Sequence, residues 1–213
     1  MNDTGPYLKP EELELLQEIM NIAFGKAAAD LAEMVDIFVV LSIPEVTLVR
    51  ASELPGLLGT AMEGHERISL VKQAFWGQFT GAGYLALPAD ASRELISLLG
   101  NTDLEHGSGL PLRVLELESL LEVGNILIGA CVGKLAELLE DEVVYSPPEA
   151  TQEHVQGEEF PLELMEPDST AIVLKTLFRF SGRNVSGLLF LVTTPASIQW
   201  LRMALAAFLG RYA

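Results

Sequence analysis

Glu12–Pro44 read ELELLQEIMNIAFGKAAADLAEMVDIFVVLSIP, and numbered as a helix these residues sort onto two sides. Leu16, Ile19, Met20, Ala23, Ala27 and Met34 recur at the three-and-four spacing that buries a helix face. Glu14, Glu18, Asn21 and Gly25 follow one another at steps of four, three and four, and so form a single narrow stripe on the opposite side. Charges on the wet side of an amphipathic helix are ordinary. An Asn in a helix interior, disfavoured relative to Ala, is less so.

A second copy of the stretch gives the stripe its weight. Shifted by 104 residues, Glu118–Ala150 (ESLLEVGNILIGACVGKLAELLEDEVVYSPPEA) lies on the first without a gap. Glu14 meets Glu118, Glu18 meets Glu122, Asn21 meets Asn125, Gly25 meets Gly129 and Pro44 meets Pro148. The register returns further on, where Gly83, Leu85 and Leu87 meet Gly187, Leu189 and Leu191. Packing alone maintains matched apolar positions. It does not maintain a matched Glu-x-x-Asn on a solvated face, so the stripe reads as a contact surface.

The repeat predicts one α+β domain over residues 1–213, with pseudo-repeats at about 11–100 and 111–213 joined by a linker at 101–110. Each half is expected to run helix–strand–hairpin–helix, the halves sharing an antiparallel sheet covered by the two long helices. The first helix is expected to reach about Val35, and a β-branched strand follows it to Ser42. Leu54–Gly64 holds three glycines and a proline and reads as a loop with room for a short turn of helix. Hairpins are expected at 66–87 and 169–193, and shorter helices at 90–99 and 197–209. Residues 149–168 hold no Lys or Arg and read as an acidic loop.

Composition narrows the function. A net charge of −17 argues against nucleic acid and anionic lipid as partners, since both need clustered Lys and Arg. The 49% apolar content supports a sizeable core. No apolar run is expected to span a bilayer, the N-terminus lacks a signal-peptide pattern, and a single Cys131 fits a reducing cytoplasm. Cys131 itself, like Trp76, Phe79 and Trp200, reads as a core residue. Gly25-Lys26 and Gly133-Lys134 fail as phosphate loops, because Ala27 and Leu135 stand where Ser or Thr would hold a metal. His65, His106 and His154 have no partner at metal-ligand spacing.

The two copies of Glu-x-x-Asn, each followed after 22 residues by Pro, resemble the signature of the CheC/FliY/CheX phosphatases of chemotaxis. Two copies in one short chain resemble the CheC branch. The family pattern carries Asp or Ser four residues before the Glu, whereas Glu14 and Glu118 stand there in this sequence. The resemblance implies hydrolysis of the aspartyl phosphate on the response regulator CheY. Asn21 and Asn125 would orient the attacking water, and Glu18 and Glu122 would pair with the regulator's Lys. Glu14, Glu118, Pro44 and Pro148 would be auxiliary motif positions. It implies no metal or cofactor on this chain, with Mg²⁺ carried by CheY, and the receptor deamidase CheD as a further partner. A non-catalytic adaptor binding CheD or phosphorylated CheY is the alternative.

Overall fold

The computed structural model describes residues 8–35, 39–89, 112–154, 169–180 and 183–212. The expected linker at 101–110, the expected helix at 90–99 and most of the expected acidic loop lie outside them.

Two long helices, α1 (Pro10–Val35) and α3 (Leu112–Leu139), lie against each other across one face of an eight-stranded antiparallel sheet. The strands are β1 (Val39–Leu41), β2 (Glu45–Arg50), β3 (Arg67–Trp76), β4 (Gly81–Pro88), β5 (Val144–Tyr145), β6 (Glu149–His154), β7 (Thr170–Phe180) and β8 (Arg183–Thr193). Their order is β1-β7-β8-β4-β3-β5, with β2 continuing β1 along the edge of β7 and β6 continuing β5 along the edge of β3. A last helix, α4 (Pro195–Tyr212), packs against α1 and α3. The expected class, α+β with long helices over a shared antiparallel sheet, is the architecture found.

Alternation along the inner strands explains why their sequences look almost uniformly apolar. Leu85, Leu87, Ile172, Leu174, Leu189 and Leu191 point into the core beneath α1, α3 and α4. Their neighbours Ala82, Tyr84, Ala86, Ala171, Val173, Leu188 and Phe190 point to the other face, into a second core. Strands buried on both faces lose the polar half of their period. The second core is roofed by a 3₁₀ turn (Ala51–Glu53) and α2 (Leu54–Ala61). Tyr84 and Phe190 stack within it, ring centroids 4.9 Å apart.

Several expectations need correction. Leu54–Ala61 is a helix, not a loop: Pro55 sits in the first turn, where its missing N–H costs nothing, and Leu54 and Leu58 share a buried face. Gly64, at φ 90°, follows it. Residues 149–154 are the edge strand β6 and not acidic loop, since an edge strand needs only backbone partners, and Glu149 at its start stays exposed. Trp76 is 50% exposed rather than core, because β3 ends there opposite the exposed Val144. Trp200 is half-buried, whereas Phe79 and Cys131 are buried as expected. Leu117–Leu138, 22 residues long, is long and apolar enough to cross a membrane, contrary to the expectation of no such run. Its apolarity has a local cause: Leu120, Val123, Leu127, Ile128, Cys131, Val132 and Leu135 are all buried in the core.

Candidate functional site

Both stripes face outward from the paired helices. Glu14, Glu18 and Gly25 on α1 are exposed and Asn21 is half-buried; Glu118, Glu122 and Asn125 on α3 are exposed. Their surroundings follow from the opposite faces. Leu16, Met20, Ala23 and Ala27 on α1 and Leu120, Val123, Leu127 and Val132 on α3 are drawn into the core, which turns the intervening polar positions to solvent. Beyond each Asn lies a Gly, Gly25 or Gly129, at which a methyl group would meet nothing within 4 Å. The surface past each carboxamide is therefore open to a partner.

The two prolines do different work from the stripes. Pro44 is buried, and its carbonyl accepts a hydrogen bond from Gln17 Nε2. Gln17 Oε1 in turn accepts from the Val46 N–H at 3.0 Å, so one carboxamide ties α1 to the break between β1 and β2. Pro cannot donate to a ladder, and here it sits where the edge strand is interrupted. Pro148 occupies the matching break between β5 and β6 and is half-buried. Neither proline lies on an exposed stripe.

The breaks are held from the sheet in related ways. Thr176 Oγ1 on β7 donates to the Ser42 carbonyl at 3.0 Å. Gln73 Nε2 on β3 donates to the Ser146 carbonyl at 3.1 Å. The sheet registers make these residues counterparts: Lys175 lies opposite Glu45 on β2, and Lys72 lies opposite Glu149 on β6. The glutamates are 104 residues apart but the lysines 103, so the offset shortens by one residue across β3 and β7. A search at constant offset misses this pairing.

From these counterparts the two sites diverge. Gln73 reaches further than Thr176, and its Nε2 also donates to Asn125 Oδ1 at 2.9 Å. Among the described residues, the Asn21 carboxamide makes no side-chain hydrogen bond. Asn125 also borders a hollow of about 340 Å³ lined by Lys26 and Asp30 of α1, Gln73, Gly129 and Tyr145. Burial, and secondarily the nearby Cys131, push the Tyr145 phenol above its ordinary value. Burial likewise raises the Cys131 thiol, which leaves it protonated and unsuited to nucleophilic chemistry. Among the described residues no group of three or more His, Cys, Asp or Glu could hold a metal ion.

Gln73, Tyr145 and Asp30 were not singled out in the sequence, and Lys26 was weighed there only as part of a phosphate loop. Gln73 left no local signal, because in β3 it shares the period-2 positions of the polar Arg67 and Ser69.

No protein-family model matches the chain. The chain is 27% identical over 207 residues to the CheY-P phosphatase CheC of Bacillus subtilis, covering 95% of this chain and 97% of that one. In fold it is similar to Thermotoga maritima FliY, with a TM-score of 0.70 and 20% identity over 94% of this chain and 98% of that one. It is also similar to the chain matched in the FliG–FliM complex of Helicobacter pylori, with a TM-score of 0.63 and 10% identity over 90% of this chain and all of that one. The similarity to CheC extends over nearly the whole chain, and together with the shared FliY fold it supports a CheC/FliY/CheX-type protein.

Proposed function

We propose that the protein hydrolyses the aspartyl phosphate of a CheY-type response regulator, using Asn21 and Asn125 to orient the attacking water. One observation carries this reading: the same Glu-x-x-Asn stripe stands outward, with an open Gly beyond it, on both long helices of a chain similar throughout to a CheY-P phosphatase.

The chemistry asks little of this chain. An acyl phosphate is already activated, and the receiver supplies Mg²⁺ and a Lys at its own site. The missing element is a water fixed in line with the leaving oxygen. A carboxamide both donates and accepts hydrogen bonds without carrying charge, which suits it to hold that water. Glu18 and Glu122 lie one turn before each Asn. There they would pair with the receiver's Lys by charge-assisted hydrogen bonds and set the helix in register. Glu14 and Glu118 extend the stripe by a further turn and would contact the receiver's rim. No covalent intermediate forms on this chain.

The decisive assay follows the decay of phosphorylated CheY with wild type and with Asn21→Ala, Asn125→Ala and the double variant. The reading requires faster decay with wild type and none of that acceleration with the double variant.

A non-catalytic adaptor that binds phosphorylated CheY, or CheD, is the second reading. Its support is that the fold of this chain is also found within the FliG–FliM complex. It requires wild type to bind phosphorylated CheY without shortening its lifetime, with or without CheD.

A further inference from the structure

We infer that Gln73 is a positioning residue that fixes the orientation of the Asn125 carboxamide, a device the Asn21 site does not share. This rests on the proposed role of Asn125 and adds a residue to it.

The geometry is specific. Both hydrogens of the Gln73 amide are committed, one to Asn125 Oδ1 at 2.9 Å and one to the Ser146 carbonyl at 3.1 Å. Ser146 cannot drift, because its N–H donates to the Ala74 carbonyl and its Oγ accepts the Ala74 N–H at 3.0 Å. Gln73 is itself 3% exposed, in a strand where Leu70, Val71 and Phe75 are buried beside it. A donor held this firmly admits one orientation of the Asn125 amide. Turning that amide over would set NH₂ against NH₂. Asn125 therefore keeps Oδ1 toward β3 with one lone pair used, and presents its Nδ2 hydrogens and the second lone pair outward.

The arrangement has a cost that packing does not explain. Gln73 Oε1 is buried and, among the described residues, accepts no hydrogen bond. An apolar side chain of the same length would remove that orphan. The Gln is accounted for by what its Nε2 holds. At the counterpart position, Thr176 is too short to extend the same grip and satisfies itself on Ser42.

The test is a cycle of variants read by decay of CheY phosphorylated with a small-molecule phosphodonor. Gln73→Met keeps the length and removes the donor, with Gln73→Leu as a second apolar replacement. In the Asn21→Ala background, which leaves Asn125 to work alone, either change is expected to lower kcat about tenfold, with KM little altered. In the Asn125→Ala background, where the held group is gone, the same change is expected to have no further effect. Side-chain amide NMR supplies a readout free of activity: the Asn125 carboxamide is expected to be ordered in wild type and mobile in Gln73→Met, with both proteins folded by circular dichroism. An unchanged rate in the Asn21→Ala background overturns the inference. So does an equal loss in both backgrounds together with a lowered melting temperature, which would mark Gln73 as merely structural. If wild type fails to hasten decay, the phosphatase reading falls by itself. The amide order then decides on Gln73, and an Asn125 amide unmoved by Gln73→Met overturns the positioning contact.

Discussion

Gly25 and Gly129 each lie one turn past an Asn, on helix surface where an added methyl group would touch nothing. Ala is the better helix former by about 1 kcal/mol, so Gly25→Ala and Gly129→Ala are expected to raise stability by about 0.5–1 kcal/mol each. A partner pressed against the stripe would meet those methyls. The same variants are therefore expected to slow the decay of phosphorylated CheY, a combination that thermal melting and the decay assay check together. Stabilised variants with undiminished activity would mean that the glycines are not at the contact. Cys131 is the opposite kind of residue, buried with its thiol held protonated. It is expected to resist Ellman's reagent in the native protein and to react at once in denaturant.

Elements pack closely where α3 crosses the sheet. A Cβ at Gly124 would come within 2.5 Å of Val71 Cγ1, and one at Gly83 would collide with Ile128. Gly124→Ala is expected to cost about 1–3 kcal/mol in urea unfolding, the reverse of Gly129→Ala five residues along the same helix. The 3.6-residue pattern of α1 disclosed its buried face, Leu16 to Ala27, and its outward stripe alike. The two inner hairpins were legible as pairs of largely apolar segments separated by turn residues. The helical character of Leu54–Ala61 was hidden, because Gly56 and Gly59 carry a turn signal that the burial of Leu54 and Leu58 overrides. Edge strand β6 was hidden by its acidic composition, which says little about backbone pairing. Of the candidate site, the stripes were legible and Gln73 was not. Its role depends on a contact with Asn125, 52 residues away, that no local period encodes.

Over the whole molecule, the two cores make stability fall at high pH. Burial raises the Cys131 thiol above its ordinary 9.0, and it raises the Tyr84 phenol from an ordinary 10.0 to about 12. Folding thus favours the protonated forms: their contribution is complete below pH 9 and is lost as the unfolded chain ionises on the way toward pH 12. For Tyr84 alone the loss is on the order of 2 kcal/mol across that range, and urea midpoints measured between pH 8 and pH 11 check it. The same sheet that builds these cores carries both long helices on one face, so both outward stripes are presented by one packed unit. The central claim is that the carboxamides on those stripes make the protein a phosphatase. It is tested most directly by the decay of phosphorylated CheY with wild type and with the Asn21→Ala/Asn125→Ala double variant, both verified as folded. The account predicts that wild type shortens the lifetime and the double variant leaves it at the intrinsic value. Equal acceleration by the two proteins would contradict it.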